Sequence, residues 1–252
     1  MFFVILFWAV LLPVWVDCTG ISQTLSAATI VKTSERNMRG NTLQGLLSIQ
    51  IIRPTYSRSM DLKIWAKGDD FAFIQLLAPA REKGITFLRR KKEVWNWIPA
   101  LERTIKLPPS MMSQSWMGTD FTHDDLVRES SLTRDYEQTI IGEEDIEGRR
   151  CWKIQLIPLP EAAVVWGKVI LWIDQQDFLQ LQSQAYDEEG IMVNTLRSSE
   201  IRLIGGRMLP TRVEMTPVDK PGNKTIIQYR ELRFDEPLSD DFFSPQHIRL
   251  SP

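Results

Sequence analysis

The sequence contains little cysteine and little histidine, with two of each in 252 residues. Cys18 directly follows the apolar N-terminus, so a disulfide framework is excluded for the mature chain. Cys151 lies in a strand-like stretch, where we interpret it as an inert buried thiol. His123 and His247 lack the paired cysteines or the His-x-Glu spacing of a metal site, so the sequence predicts no metal.

An excess of one charge is also absent, because 30 basic residues face 32 acidic residues and neither sign forms a long block. Without such a block the chain has little means of neutralising a run of phosphates, which argues against nucleic acid as a partner. Catalytic patterns are missing too. Ser113 and Ser115 lack the context of a nucleophile elbow, and Asp124-Asp125 before Leu126 is more simply interpreted as a helix start. We therefore predict neither an enzyme nor a cofactor.

Long apolar runs are confined to the N-terminus. Residues 1–16 carry no charge, but Pro13 interrupts the run, which is shorter than the roughly 20 residues of a membrane-spanning helix. We expect residues 1–20 to be a signal peptide, which predicts export from the cytoplasm and a mature chain, residues 21–252, that folds as one domain. Lipid anchoring through Cys18 is the alternative, although the residues before it are not the small ones that such processing favours.

The hydrophobic period changes early in the chain. Ser26 to Arg39 has apolar residues at helical spacing, with Ser26 available as N-cap and Gly40 to end the helix. Beyond it the period is two, and short polar turns separate the apolar runs, as in a meander of antiparallel strands. The pattern predicts a mainly β fold with one strongly curved sheet or barrel. The predicted strands are Leu43–Ile52, Met60–Ala66, Phe71–Leu77, Ile85–Arg90, Glu93–Ile98, Arg103–Leu107, Tyr136–Ile141, Arg150–Ile157, Val164–Ile173, Phe178–Tyr186, Ile191–Ile204, Arg207–Thr216 and Lys224–Phe234.

Several of these strands are apolar on both faces. Phe71 and Phe73 alternate with Ala72 and Ile74, which a sheet with one solvated face does not need. Each face must therefore be covered. Either a helix packs inside the curved sheet, or the sheet encloses a cavity for an apolar ligand.

The stretch between Pro99 and Arg134 breaks the strand pattern, apart from the short strand that ends at Leu107. Within it, residues 110–126 are unusually rich in methionine and aromatic residues for a loop. Methionine clusters suit surfaces that accept ligands of variable shape, and tryptophan supplies a broad contact area. The segment is either a long loop plugged into the core or part of a binding site.

Six motifs follow one another along the chain: WAKG at Trp65 to Gly68, AP at Ala78-Pro79, KG at Lys83-Gly84, WNWIP at Trp95 to Pro99, RTIKLPPSMM at Arg103 to Met112 and SWMGTDFTHDDL at Ser115 to Leu126. Their order resembles that of the outer membrane lipoprotein-sorting proteins, in the divergent branch related to LolA and LolB, over nearly the whole mature chain. The resemblance implies an incomplete antiparallel β-barrel, closed on one side by a helical lid over an apolar cavity. It also implies a periplasmic carrier that holds the acyl chains of lipoproteins in that cavity.

On this resemblance, aromatic side chains of the N-terminal half line the concave face, and the methionine-rich segment forms part of a gate. The candidate ligand-binding residues are Phe73, Phe87, Trp95, Trp97, Met111, Met112, Trp116, Met117 and Phe121. Well-studied carriers of the family hold the closed state with an arginine that contacts the lid. No motif identifies that arginine here, and Arg53 and Arg58 are the candidates.

The cargo and the partners stay open at the level of the sequence. The main expectation is a monomer that carries lipoprotein acyl chains, contacts membranes transiently and works with an inner-membrane transporter of the ABC or RND type. The alternative is a periplasmic adaptor that carries free hopanoid- or sterol-like lipids for a membrane exporter. A structural envelope protein, with its interior filled by its own side chains, is the third possibility.

Overall fold

A computed structural model describes residues 25–127 and 131–250. The predicted signal peptide and Cys18 lie outside the described residues. None of the helices in these two ranges is long and apolar enough to cross a membrane. The described residues form three α-helices and thirteen strands: α1 (Ala27–Arg39), β1 (Thr42–Ile52), β2 (Ser57–Lys67), β3 (Phe71–Ala78), β4 (Thr86–Arg90), β5 (Glu93–Ile98), β6 (Arg103–Leu107), α2 (His123–Val127), β7 (Tyr136–Ile146), β8 (Arg149–Pro158), β9 (Lys168–Asp174), β10 (Gln180–Tyr186), β11 (Met192–Ile204), β12 (Arg207–Pro217), β13 (Lys224–Phe234) and α3 (His247–Leu250).

All the strands belong to one antiparallel sheet with the order β6-β5-β4-β3-β2-β1-β13-β12-β11-β10-β9-β8-β7. Strands that follow each other in the chain pair as hairpins, except β6 and β7, which form the two edges of the sheet. β1 pairs with β2 and also with the last strand, β13. Because these edges do not pair with each other, the barrel stays open. The predicted mainly β fold, an incomplete antiparallel barrel with a helical lid, is confirmed.

The pairing of β1 with β13 joins the two halves of the sheet and depends on a glycine. The register between these strands shifts at Leu46/Leu47, where a β-bulge increases the local twist. A Cβ atom on Gly45 would lie 2.7 Å from Leu232 Cδ2 and 2.8 Å from the Glu231 carbonyl oxygen. Any larger side chain at this position would therefore push β1 and β13 apart.

Helix α1 covers one half of the concave face. The Ser26 hydroxyl accepts a hydrogen bond from the Thr29 backbone N–H at 3.2 Å, which caps the helix as predicted. Its buried side, centred on Ile30 and Val31, packs against strands β7, β8 and β9. Burying side chains of this size contributes about 1.5–3 kcal/mol each, so packing rather than helix propensity holds α1 in place.

The C-terminal segment, which we define as residues 235–250, covers part of the convex face. Phe243 and Ile248 are fully buried against Phe73 and Leu88. The Phe242 ring adds a contact to Phe73 at 5.4 Å between centroids. This aromatic cluster explains why β3 is apolar on both faces, since one face meets the C-terminus and the other meets the interior.

Candidate functional site

A long connection crosses the open side of the sheet. β6 and β7 follow each other in the chain but lie at opposite edges. The described residues between them, 108–127 and 131–135, which we call the crossover segment, must therefore span the concave face. Met112, Trp116 and Phe121 from this segment are buried against the inner side chains of β1–β4, β12 and β13. The crossover segment thus covers the half of the sheet that α1 leaves open.

Local hydrogen bonds shape the buried part of the crossover segment. Ser115 and Thr122 form an isolated antiparallel bridge, and the Trp116 N–H donates to the Phe121 carbonyl at 2.8 Å. The turn between them uses left-handed backbone at Met117 and Gly118. Helix α2 then begins with a reciprocal cap. The Thr122 N–H donates to Asp125 Oδ2 at 2.8 Å, and the Asp125 N–H donates to Thr122 Oγ1 at 3.1 Å. The predicted helix start at Asp124-Asp125 is confirmed.

One arginine ties the crossover segment to the sheet. Arg53, next to the end of β1, donates to Asp120 Oδ2 at 2.9 Å and to the Gly118 carbonyl at 2.8 Å. The Thr225 hydroxyl, on β13, also donates to Asp120 at 2.7 Å. The side chains of Arg53 and Asp120 are only 12% and 6% exposed, so solvent screens this pair weakly. Arg58, the other candidate arginine, pairs instead with Glu82, outside the crossover segment.

A cavity of about 300 Å³ lies between the concave face, α1 and the crossover segment. This volume is at the lower end of the range for ligand pockets. Its walls are mostly apolar, with the sheet on one side and the crossover segment and Trp166 on the other. The apolar lining includes Met38, Leu47, Ile49, Leu62, Ile64, Ile74, Trp116, Phe121, Leu126, Leu132, Trp166, Val169, Leu171, Leu196, Val213, Met215 and Ile227.

Polar groups occupy two parts of the cavity wall. Asp124 and Asp125 lie on the covering side, Tyr136 lies at the start of the edge strand β7, and Gln180, Ser183, Asn194 and Ser198 lie on β10 and β11. The Trp166 indole N–H donates to Asp125 Oδ1 at 3.1 Å. Burial raises the pKa of Asp125 above its usual value, because water no longer stabilises the carboxylate. Burial also raises the pKa of Tyr136. Both shifts favour the neutral form of the group more than water does.

The candidate residues of the crossover segment gather at the cavity. Trp116 and Phe121 line it. The Phe87 ring lies behind Trp116, with ring centroids 5.2 Å apart. Met112 is buried in the same cluster, and Met111 and Met117 are partly buried against it. The structure thus places these six residues in one cluster, although only Trp116 and Phe121 reach the cavity wall.

The other three candidates lie on the opposite face of the sheet. Phe73, Trp95 and Trp97 belong to the aromatic cluster under the C-terminal segment. They do not line the cavity, which differs from the expectation stated above. The reason is strand register, because neighbouring residues point to opposite faces. Ala72 and Ile74 take the inner positions of β3, and Val94 takes the inner position of β5.

Much of the cavity wall comes from residues that the sequence did not single out. Leu196, Val213 and Met215 lie in the C-terminal half of the sheet, and Trp166 lies in the loop before β9. Alternation of apolar residues marks strands β11 and β12 as half-buried, but it does not say which buried residues surround a cavity. Trp166 is recognisable only from its hydrogen bond to Asp125, which connects positions 41 residues apart.

The buried histidine of this region is structural in its contacts. The His123 ring packs against Phe87, with centroids 5.8 Å apart, and burial lowers the pKa of His123. Its backbone N–H donates to the Gln114 carbonyl at 3.0 Å. Across the two described ranges, no group of three or more histidine, cysteine, aspartate or glutamate side chains is arranged to hold a metal ion.

A family model described as "Uncharacterized protein" matches residues 68–249. The match includes strands β3–β13, the crossover segment and all of α3 except its last residue. No curated protein matches the sequence.

Three solved structures share the fold over nearly their whole length. A LolA superfamily protein from Nitrosomonas europaea has a TM-score of 0.77 at 22% identity, covering 89% of this chain and 100% of that one. A DUF1329 family protein from Desulfovibrio piger has a TM-score of 0.80 at 20% identity, with coverages of 88% and 97%. A proposed outer membrane lipoprotein-sorting protein domain from Vibrio parahaemolyticus has a TM-score of 0.78 at 18% identity, with coverages of 88% and 98%.

Proposed function

Since this chain belongs to the family whose model spans residues 68–249 and has the fold of the LolA superfamily, we propose that it is a periplasmic carrier of lipoprotein acyl chains. The observation that carries the proposal is the apolar cavity of about 300 Å³ beneath the crossover segment. On this proposal the chain is a non-catalytic monomer that is exported by its N-terminal signal. It meets membranes only while it exchanges cargo with an inner-membrane transporter of the ABC or RND type.

The energetics of acyl chains explain why such a cavity is useful. Each buried methylene contributes about 0.8 kcal/mol, so a long acyl chain exposes apolar surface worth roughly 10 kcal/mol in water. A cavity that offers the chain an environment similar to the bilayer removes most of this barrier to transfer. Its affinity must stay comparable to that of the membrane, because a tighter site would not release the cargo.

Arg53 supplies the contact that would keep the carrier closed. It joins the end of β1 to Gly118 and Asp120 in the crossover segment. On this proposal the crossover segment, with Trp116 and Phe121 on its inner side, is the lid. Loading requires the Arg53 contacts to open, and closure re-forms them around the cargo.

A second candidate function is an adaptor that carries free lipids for a membrane exporter. The polar side chains of Ser183, Asn194 and Ser198 on the inner face of β10 and β11 favour it, because a hydrocarbon chain cannot form hydrogen bonds with them. The bound cargo separates the two functions. Mass spectrometry of material extracted from protein purified from its native envelope should recover acylated lipoprotein for the carrier and free lipid for the adaptor.

A size-filling variant tests both functions at the cavity. Ala185 is buried on the cavity wall, so Ala185→Trp should fill part of the volume and lower the uptake of a fluorescent fatty acid at least about tenfold. Ala100→Trp makes the same chemical change at an exposed position and should leave uptake unchanged. Circular dichroism verifies that both variants fold. If the wild type takes up no fatty acid and yields no extractable lipid, neither carrier function holds.

A further inference from the structure

One hydrogen-bond donor in the cavity wall has no partner. Among the described residues, three buried side-chain atoms have no hydrogen-bond partner, namely Trp116 Nε1, His123 Nδ1 and Gln175 Nε2, and of these three residues Trp116 is the one that lines the cavity. The Trp116 side chain is fully buried, yet it lines the cavity. Buried donors in folded proteins are almost always paired, so each exception calls for an explanation. Another indole of the cavity wall follows the rule, since the Trp166 N–H donates to Asp125 Oδ1 at 3.1 Å.

The contacts of Trp116 explain its position but not its unpaired N–H. Its ring packs at a tilt of 52° against the Phe87 ring, and its backbone N–H donates to the Phe121 carbonyl oxygen. A phenylalanine would make the same ring contact and bury no donor. The presence of tryptophan here is therefore costly for an empty or purely hydrocarbon-filled cavity, and useful for a ligand with an acceptor atom.

The charge of that acceptor follows from the neighbouring side chains. Asp124 and Asp125 line the same cavity on the same side as Trp116. A carboxylate ligand buried against this wall would lose its hydration, as the carboxyl group of Asp125 does. A neutral oxygen avoids most of that desolvation cost, and the polar residues Ser183 and Asn194 on the sheet side fit a ligand with some polar character.

We propose that the cavity binds a lipid whose neutral carbonyl or hydroxyl oxygen enters the interior and accepts a hydrogen bond from Trp116 Nε1. The inference rests on the proposed carrier function and specifies its ligand class as ester-, amide- or hydroxyl-bearing lipids. Both a lipoprotein's acyl-glyceryl group and a free lipid carry such oxygens. The polar end of the lipid then lies beneath the crossover segment instead of remaining outside.

A matched pair of ligands tests the hydrogen bond. Methyl palmitate and octadecane have chains of similar length, but only the ester carries an acceptor. Both are supplied from cyclodextrin, and their affinities are measured by displacement of the uncharged fluorophore N-phenyl-1-naphthylamine from the full-length mature protein. Trp116→Phe should weaken methyl palmitate about fivefold and leave octadecane unchanged, because only the ester loses a hydrogen bond. Trp97→Phe, in the aromatic cluster on the other face, should change neither affinity.

The outcomes separate this inference from the carrier function itself. If neither ligand binds the wild-type protein, the carrier function fails. If both bind but Trp116→Phe weakens them equally, or weakens neither, the inference is wrong and the carrier function stands. The same comparison with a synthetic diacylglyceryl lipopeptide distinguishes the two lipid sources, since the natural cargo should show the larger dependence on Trp116.

A spectroscopic measurement on the unmutated protein makes the test independent of folding. The indole N–H proton of Trp116, assigned by its absence in the Trp116→Phe spectrum, should shift downfield when methyl palmitate is added. Octadecane should not produce that shift. An indole resonance that responds identically to the two ligands would contradict the proposed hydrogen bond.

Discussion

Removing the Arg53 side chain should loosen the crossover segment more than removing any comparable surface arginine. Arg53→Met keeps the aliphatic part of the side chain but deletes its hydrogen bonds to Asp120 at 2.9 Å and to the Gly118 carbonyl at 2.8 Å. Asp120 would keep its hydrogen bond from the Thr225 hydroxyl at 2.7 Å, but would lose its cationic partner. The carboxylate would then be left 6% exposed without a balancing charge.

The size of the effect follows from this burial. Breaking a buried ion pair by removing one partner costs about 3–5 kcal/mol, because the remaining charge stays desolvated. Since Thr225 still supports Asp120, we expect the lower end, about 3 kcal/mol in the free energy of unfolding. For a chain of this length, that corresponds to a fall in Tm of about 6–12 °C. Asp120→Asn in the Arg53→Met background should restore about 1–2 kcal/mol, since no uncompensated carboxylate remains.

Urea unfolding of the two single variants and the double variant measures these quantities, and limited proteolysis of residues 108–127 reports local opening. Arg58→Met is the matched control. Its ion pair with Glu82 is more exposed, at 34% and 20%, so its loss should cost no more than about 1 kcal/mol. If Arg53→Met lowers the free energy of unfolding no more than Arg58→Met does, and its crossover segment is cleaved no faster than that of the wild type, the Arg53 contacts do not hold the lid.

Three further predictions concern buried residues. Burial raises the pKa of Asp125, so the folded state binds the proton of this carboxyl group more tightly than the unfolded state does. The free energy of unfolding should therefore fall as pH rises from about 4 through the folded pKa, and Asp125→Asn should remove that fall when urea unfolding is measured at a series of pH values. Ile30 is fully buried on the inner side of α1, so Ile30→Ala should lower the free energy of unfolding by about 2–5 kcal/mol, and a loss below about 1 kcal/mol in urea would contradict the packing. Burial raises the pKa of the Cys151 thiol to about 11, so in a Cys18→Ser chain a thiol reagent should label it only after unfolding; fast labelling of the native protein would show an accessible thiolate.

The periodicity of the sequence was sufficient to predict the elements of the sheet. β1 is the predicted strand Leu43–Ile52 with Thr42 added, and Glu93–Ile98 is β5 without change. The largest differences are in β7, which ends five residues beyond the predicted Ile141, and at Val164, where the predicted strand begins four residues before β9. Residues 164–167 are apolar because Val164 and Trp166 pack against the α1 cluster, not because they pair in the sheet. Apolar character reports burial, and burial has more than one cause.

The facing of each strand was harder to predict than its existence. Phe73 and Ile74 are both buried, so their burial gives no indication of which side holds the cavity. The large aromatic residues of the N-terminal half were expected on the concave face, but Phe73 packs against the C-terminal Phe242 and Phe243 on the other face. A strand buried on both faces offers no polar side to orient it, and a slip of one residue exchanges the two sets.

The sequence by itself determined the alternating strands, the capped helix α1 and the methionine-rich crossover segment, because these follow from local periodicity and composition along the chain. Only the tertiary structure decided that the crossover segment spans the two edges of the sheet, that Arg53 meets Asp120 across 67 residues, and that Trp116 reaches the cavity with an unpaired N–H. These features depend on which distant residues meet when the sheet curves. No local pattern contains that information, since curvature and pairing arise from the sum of contacts over the whole barrel.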